Sequence, residues 1–367
     1  MPRTAEQAQA ELVESVCKRL SDEVSPERVG QCEAFVRRFY RWVPVEDLAG
    51  RSIGDLCGAA IASWDFARDR RAHTASVRAY NPTAREQGWQ STSTVVEIVT
   101  DDMPFLVDSV GMELSRLGYG IRLSIVPVID VLRDADGRLA AVSESGAADH
   151  LTRETVMQFE IDRESDPERL DALVADVRRV LGDVRVAAED EQLMRERMGK
   201  IADEIESAPA PLDTSEAKEV SAFLEWARGG KFIFLGYREY DLISEAGEDR
   251  LRASDGTALG ILRHTTAVGS ASFARLPGEV RALARSPHAL VLTKANSRST
   301  VHRPLYLDYI GVKRFARGEV CGERRFLGLY TDAAQETNPR QIPILRDKVE
   351  AVIRRAGFPQ VAIRRGS

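Results

Sequence analysis

Long apolar runs are missing from this sequence. No window approaches the ~20 apolar residues that a membrane-crossing helix needs, and the N-terminus MPRTAEQAQAELVESV has no apolar core of the kind a secretion signal carries. A cytoplasmic location without a membrane partner is therefore expected. Cysteine is scarce. Cys17, Cys32, Cys57 and Cys321 lie far apart, form no CxxC pair and make no ligand cluster with the five histidines. Reduced, structural thiols are expected, and no metal site. An excess of positive charge is also absent: the formal charge of -6 gives no support for a nucleic-acid surface. The familiar catalytic signatures are missing too, namely GxGxxG after a strand, the P-loop, HExxH and GxSxG. Gly118-Tyr119-Gly120 lacks a third glycine and follows a helical pattern rather than a strand, which excludes a dinucleotide fingerprint there.

What remains is an ordinary globular composition, 43% hydrophobic and 29% charged over 367 residues, long enough for more than one core. The first 90 residues read as helix. Ala10, Val13, Cys17 and Leu20 make one stripe, Val29, Cys32, Phe35, Val36 and Phe39 a second, and Leu48, Leu56, Ile61 and Trp64 a third. Pro26 after Ser25 is a helix start. Residues 67–90, polar and carrying Asn81-Pro82 and Gly88, read as a loop or joint.

From Thr94 the period changes. TVVEIVT predicts a strand, MPFLVDSVGMELSRLG a helix, IRLSIVPVIDVLRDADGRL one long strand closing at Asp136-Gly137, and ETVMQFEID a further strand. A helix follows, opened by Asp166 with Pro167 at its first position. A last strand near Val184 and Val186 is only weakly signalled before a highly charged helix begins. The expected order is β-α-β-β-α. ESAPAPLDTSEA reads as a linker with a cap at Thr214 or Ser215, followed by a short helix ending at Gly229-Gly230. The strands KFIFLGYREYDL, HALVLTKA, YIGVKRFA and GERRFLGLYT then predict an antiparallel sheet with a hairpin at Arg317-Gly318. A terminal helix offers Ile344, Leu345, Val349 and Val352 for packing. The fold class is α+β.

Two groups of residues are candidate sites. At the turn Asp101, Asp102, Met103, Pro104 and Phe105, the acids could cap the following helix, or its free N–H groups could hold the carboxylate of a small effector. Further along, Lys294, Arg298, His302 and Arg303, with Lys313 and Arg314 beyond them, could meet an anion or an acidic partner, or lie on a solvated face. His302 has no neighbour at metal-ligand spacing. Lys294 would need a desolvated pocket to act as a Schiff-base lysine.

The stretches VVEIVTDDMPFLVDSVGMELSRLG, FIFLGYREYDL, LVLTKANSRSTVHRPLYLDYIGVKRF and GERRFLGLYT resemble the N-terminal region of the large bacterial NAD-specific glutamate dehydrogenases, from about Ala10 to Phe358. That resemblance implies a helical segment over 1–90, an ACT-like βαββα domain with its charged connecting helix over 91–205 and a linker at 206–214. A mainly antiparallel sheet domain of PAS/GAF-like or ACT-like type would fill 215–367. It implies a noncatalytic regulatory and oligomer-assembly region, without a cofactor of its own. The parent enzyme would use NAD to turn L-glutamate and water into 2-oxoglutarate and ammonium. Partners would be further copies of the chain, its own downstream catalytic region and an amino-acid effector. An effector-binding module and a stand-alone enzyme acting on an anionic substrate are the alternatives. ACT modules resemble one another in a D-R-P-G-L turn after the first strand. Asp102, Pro104 and Leu106 fall on that pattern, while Met103 replaces the basic residue and Phe105 the glycine.

Overall fold

A computed structural model describes residues 5–143, 151–207, 211–245, 248–263 and 288–356. It divides into two units, one of Met1–Val184 with Thr300–Arg303, the other of Arg185–Ser299 with Pro304–Ser367. The architecture is α+β, with a helical N-terminal region.

The first unit begins with helices α1 (Ala5–Glu23), α2 (Pro26–Phe39) and α3 (Ile53–Ala67). Their stripes meet as the periodicity requires: Val16, Leu20, Cys32, Phe35, Val36, Phe39, Ala60 and Trp64 are all buried in one cluster. The same cluster takes in Val99, Leu123, Ile125, Ile129, Val131 and Val156 of the sheet, so helices and sheet share a core. The thiols of Cys17, Cys32 and Cys57 lie within it unpaired, and burial pushes them up to about 11, 12 and 11. Such thiols are inert filling.

The sheet holds β1 (Ser76–Tyr80), β2 (Thr94–Asp101), β3 (Ile121–Ile125), β4 (Val128–Arg133), β5 (Leu139–Val142) and β6 (Thr152–Ile161). Its order is β1-β2-β6-β4-β5, with β3 also on β6, and every pairing is antiparallel. Between β2 and β3 lies helix α4 (Leu106–Arg116), and after β6 comes α5 (Pro167–Ser207). β2 is buried at nearly every position, which requires cover on both faces.

Three local expectations are corrected here. Residues 76–80 are a strand rather than part of a joint, because SVRAY alternates against Val95–Val99 and supplies the edge beside β2. The long strand is broken after Ile125: Pro127 has no N–H for a ladder, its carbonyl accepts from Val156 N, and β3 and β4 lie end to end along β6. No strand forms near Val184, since Val180, Leu181 and Val184 continue the buried stripe of α5 through 41 helical residues. The place such a strand could take beside β2 is held by β1.

Cross-strand partners share a face, so the pairs Val95–Glu160, Glu97–Gln158, Val99–Val156 and Asp101–Glu154 all look toward the N-terminal helices. Burying these acids requires partners. Arg70 donates to Asp101 and Glu154, Arg133 forks onto both oxygens of Glu154, Arg78 donates to Glu97, and Arg51 to Glu160.

The second unit carries α6 (Thr214–Trp226), β7 (Phe232–Glu245), β8 (Glu248–Ala253), β9 (Leu259–Gly260), β10 (Leu290–Arg298), β11 (Tyr306–Ala316), β12 (Glu319–Tyr330), α7 (Asp332–Gln335) and α8 (Leu345–Arg355). The sheet order is β10-β11-β12-β7-β8, antiparallel throughout, with β9 also on β7. Arg317 and Gly318 both have positive φ and close the β11–β12 hairpin, the two-residue turn that suits strand twist. Phe232, Phe234, Tyr237, Ile310, Val312 and Phe326 form the core with Phe223 and Leu224 of α6. Asp213, not Thr214 or Ser215, caps α6 by accepting from Glu216 N at 2.8 Å. Part of the expected linker, residues 208–210, lies outside the described residues. The apolar side of α8 does not become core: Val352 is 65% exposed and Leu345 39%.

Gly58 marks the closest packing in the first unit, since a Cβ there would sit 2.5 Å from Cβ of the buried Trp89. Helix propensity alone favours Gly58→Ala by about 1 kcal/mol. Overpacking against a buried ring costs about 1–3 kcal/mol. A net destabilisation is expected, read as a lowered urea midpoint; a raised midpoint would mean that Trp89 shifts without cost.

Candidate functional site

The acids of the 101–105 turn do not cap α4. Its N-cap residue is Phe105, without a side-chain cap hydrogen bond. Asp101, the last residue of β2, is drawn to Arg70, which donates at 2.6 Å. Asp102 accepts from Thr155 Oγ1 at 2.9 Å and pairs with Arg153 at 3.3 Å. Asp101 is thus held by the segment after α3 and Asp102 by β6. Phe105 has φ 68° and ψ 6°, the left-handed conformation that glycine adopts at no steric cost and that costs another residue on the order of 1 kcal/mol. The ring of His302 lies 4.6 Å away, and His302 shares the positive φ at 69°. Ser109 Oγ donates to Phe105 O and accepts from His302 N at 3.0 Å, while His302 Nδ1 sits 3.1 Å from Asp108. The Phe105 ring is thus fixed over the turn.

The basic candidates have separate partners. Lys294 Nζ pairs with Asp308 at 2.6 Å on a side chain 59% exposed, so it is not desolvated. Arg298 lies over the Tyr306 ring. His302 belongs to the cluster just described, and Arg303 donates its backbone N–H to Val301 O. Lys313 is the buried lysine of this region, and desolvation holds its ammonium below the usual range. Arg325, equally buried, lies 3.9 Å over the Tyr240 ring and 5.0 Å over that of Tyr309. Among the described residues no group of His, Cys, Asp and Glu could hold a metal, and no helix is long and apolar enough to cross a membrane.

The most built polar site lies elsewhere in the first unit. A cavity of about 580 Å³ opens between the segment before α3, residues 89–93, β3 and β6. Arg51, Trp89, Ser91, Arg122, Gln158 and Glu160 line it. Glu160 is held by Arg51 at 2.5 Å and by Ser91 Oγ at 3.0 Å. Arg122 reaches Asp162 at 2.8 Å. Gln158 is 1% exposed, and its Oε1 lies 3.2 Å from Ser63 Oγ, which itself lies 2.5 Å from Glu97 Oε1. Gln158 Nε2 and Trp89 Nε1 are buried with no acceptor among the described residues. Ser63 can satisfy one end of the Gln158 amide only, whichever way that amide is turned.

None of these cavity residues stood out by motif. The available signal was the strand TVMQFEI, where Gln158 and Glu160 interrupt an apolar run on alternate positions. In a strand buried on both faces, such residues have to be paired or to line a cavity.

Residues 35–177 match the family described as the glutamate dehydrogenase ACT1 domain. The chain is 35% identical over 365 residues to the NAD-specific glutamate dehydrogenase of Halomonas elongata, covering 96% of this chain and 22% of that protein. It is 34% identical to the Pseudomonas aeruginosa protein of the same name, covering 95% and 22%. This chain is homologous to the large bacterial NAD-specific glutamate dehydrogenases. The Mycobacterium tuberculosis glutamate dehydrogenase follows at 26% identity, covering 94% of this chain and 20% of its own length. The chain thus spans about a fifth of the length of these relatives. Within the ACT1 match fall both the Phe105 turn and the cavity.

Burial holds the Glu97 carboxyl above the usual range, against the opposing pull of Arg78 and Ser63. A protonated Glu97 can donate to Ser63, which frees the Ser63 proton for Gln158. A folded-state pKa raised above that of a free glutamate side chain makes this contribution to stability full below the free value and lost as pH rises through the folded pKa. Glu97→Gln carries no such titration. The stability of the native chain minus that of Glu97→Gln should therefore fall as pH is raised from acid to neutral, measured by urea unfolding. A difference that stays level or grows would show that Glu97 is ionised throughout.

Proposed function

We propose that this chain is a noncatalytic regulatory and oligomer-assembly region of an NAD-dependent glutamate dehydrogenase. The observation that carries the reading is the extent of the homology. It runs through 96% of the chain yet reaches 22% of the relative's length. On this reading residues 1–90 are a helical segment, 91–205 an ACT-like domain, 206–214 a linker and 215–367 a PAS/GAF-like or ACT-like sheet domain. NAD, and the conversion of L-glutamate and water to 2-oxoglutarate and ammonium, belong to the downstream catalytic region of the parent. The partners are that region and further copies of the chain.

A second reading, an amino-acid effector module, is favoured by the backbone at Phe105. Its left-handed geometry is one that glycine, the residue at this position of the D-R-P-G-L pattern, adopts without steric cost, and that supports the reading. Lys294, Arg298, His302 and Arg303 are assigned to anion or partner contact under the same reading. A stand-alone enzyme is not favoured, because their described contacts give them separate partners.

Two measurements test the main reading. Light scattering should give a multiple of the 40.7 kDa chain mass at micromolar concentration, and glutamate with NAD should yield no NADH. A monomer up to high micromolar concentration would remove the assembly role; glutamate-dependent NADH formation by the chain would overturn the noncatalytic one.

A further inference from the structure

We propose that a groove in the second unit, lined from α6, the end of β12, α7 and the first turn of α8, binds a free medium-chain fatty acid. The alkyl chain lies in the groove and the carboxylate at Lys348. The binding needs nothing from the regulatory reading, and a monomeric or catalytically active chain would leave it untouched.

The groove is where the core of this unit reaches the surface. Phe223 and Trp226 of α6 and Tyr330 of β12 line it as one aromatic surface, with ring centroids 5.6 and 6.1 Å apart in succession. Phe223 belongs to the buried core, while Leu292 of β10 and Leu345 of α8, also lining the groove, are 43% and 39% exposed. One wall is the run Ile342-Pro343-Ile344. Ile344 has φ 70°, a conformation that β-branched residues rarely take. Glu219 of α6 fastens it there, accepting from Ile344 N at 2.9 Å and from Arg346 Nε at 3.1 Å. The wall is thus in place without a ligand, which lowers the cost of binding one.

Size decides between a small molecule and a protein surface. The volume is about 270 Å³. At roughly 30 Å³ for a water-sized group, it holds about nine such groups, the length of an eight- to ten-carbon chain. A stable protein interface buries about 800 Å² on each partner. Leu292, Leu345 and, two turns along α8, Val352 fall far short of that, since even a whole aromatic side chain buries only about 150–250 Å².

Charge decides the head group. Among the described residues that line the groove, Lys348 alone carries a charge, and Arg346 and Glu219 beside it neutralise each other. One carboxylate on the ligand matches one ammonium on the rim. A second charged group would be carried against Trp226 and Leu292 without a partner, which excludes zwitterions and nucleotides.

Trp226 reports on the groove directly, because Trp42, Trp64 and Trp89 all lie in the first unit. Titration of the full chain with decanoate, below its micelle concentration, should give a saturable change in tryptophan emission that Trp226→Phe abolishes. Decylammonium, with the same chain and the opposite charge, should bind about tenfold more weakly or worse, and butyrate not at all. Leu292→Asp should weaken decanoate about tenfold. Lys348→Gln should weaken it about threefold, as an exposed ion pair allows, and leave decylammonium no weaker. Both side chains are exposed, so neither variant removes core packing. No saturable change, decylammonium binding as tightly as decanoate, or affinity unchanged in either variant would overturn the proposal. So would phosphatidylcholine vesicles giving the same change without decanoate, which would make the groove a lipid contact. Trp226 emission that shifts with protein concentration alone would assign the groove to a second copy of the chain and overturn it as well.

Discussion

The first unit depends on neutralising the acids that its sheet turns toward the helices. Glu97, Glu154 and Glu160 are almost wholly buried, and Asp101 ends the same row. Bulk water has little access to them, and each uncompensated charge would cost several kcal/mol. Their partners Arg51, Arg70 and Arg78 come from the stretch around α3 and β1, and Arg133 from β4. The helical segment is therefore tied to the sheet by charge as well as by the apolar cluster around Trp64 and Phe35. Removing those residues would strip the sheet of its cover and three of its four countercharges together.

That constraint also explains the two polar features of this unit. Asp101 is spent on Arg70, and α4, entered through the left-handed Phe105, has no side-chain cap at its N-cap residue. Where the row of acids reaches Glu160, Arg51 and Ser91 come in from the segments before α3 and β2, and a cavity opens beside them. A face otherwise closed by apolar packing and ion pairs is open at one end, where its side chains still have hydrogen bonds to offer.

Much of the architecture was legible as periodicity. The stripes of α1, α2 and α3, the Pro167 start of α5, the strands β7, β10, β11 and β12 and the Arg317-Gly318 hairpin follow from local patterns that packing had no cause to override, whereas β8 and β9 carried no such signal. The misread pieces depended on distant partners. SVRAY carries no strong strand signal until Val95–Val99 stands beside it. Pro127 breaks a run that otherwise alternates well. Asp101 looks like a cap until Arg70, distant in sequence, competes for it.

The sequence by itself determined the fold class, the absence of the common catalytic signatures and the glutamate dehydrogenase resemblance, because each resides in local composition, spacing or motif. Tertiary structure alone decided what the polar residues do. Gln158 and Glu160 sit two residues apart in a strand, and no spacing rule says that Ser63 anchors one and Arg51 the other, or that a cavity opens before them. Phe105 reads as an apolar residue at a helix start. Only the folded turn shows that it holds a left-handed backbone conformation with its ring against His302. Hydrogen-bond satisfaction and charge pairing are properties of neighbours in space, and for these residues the neighbours lie far away along the chain.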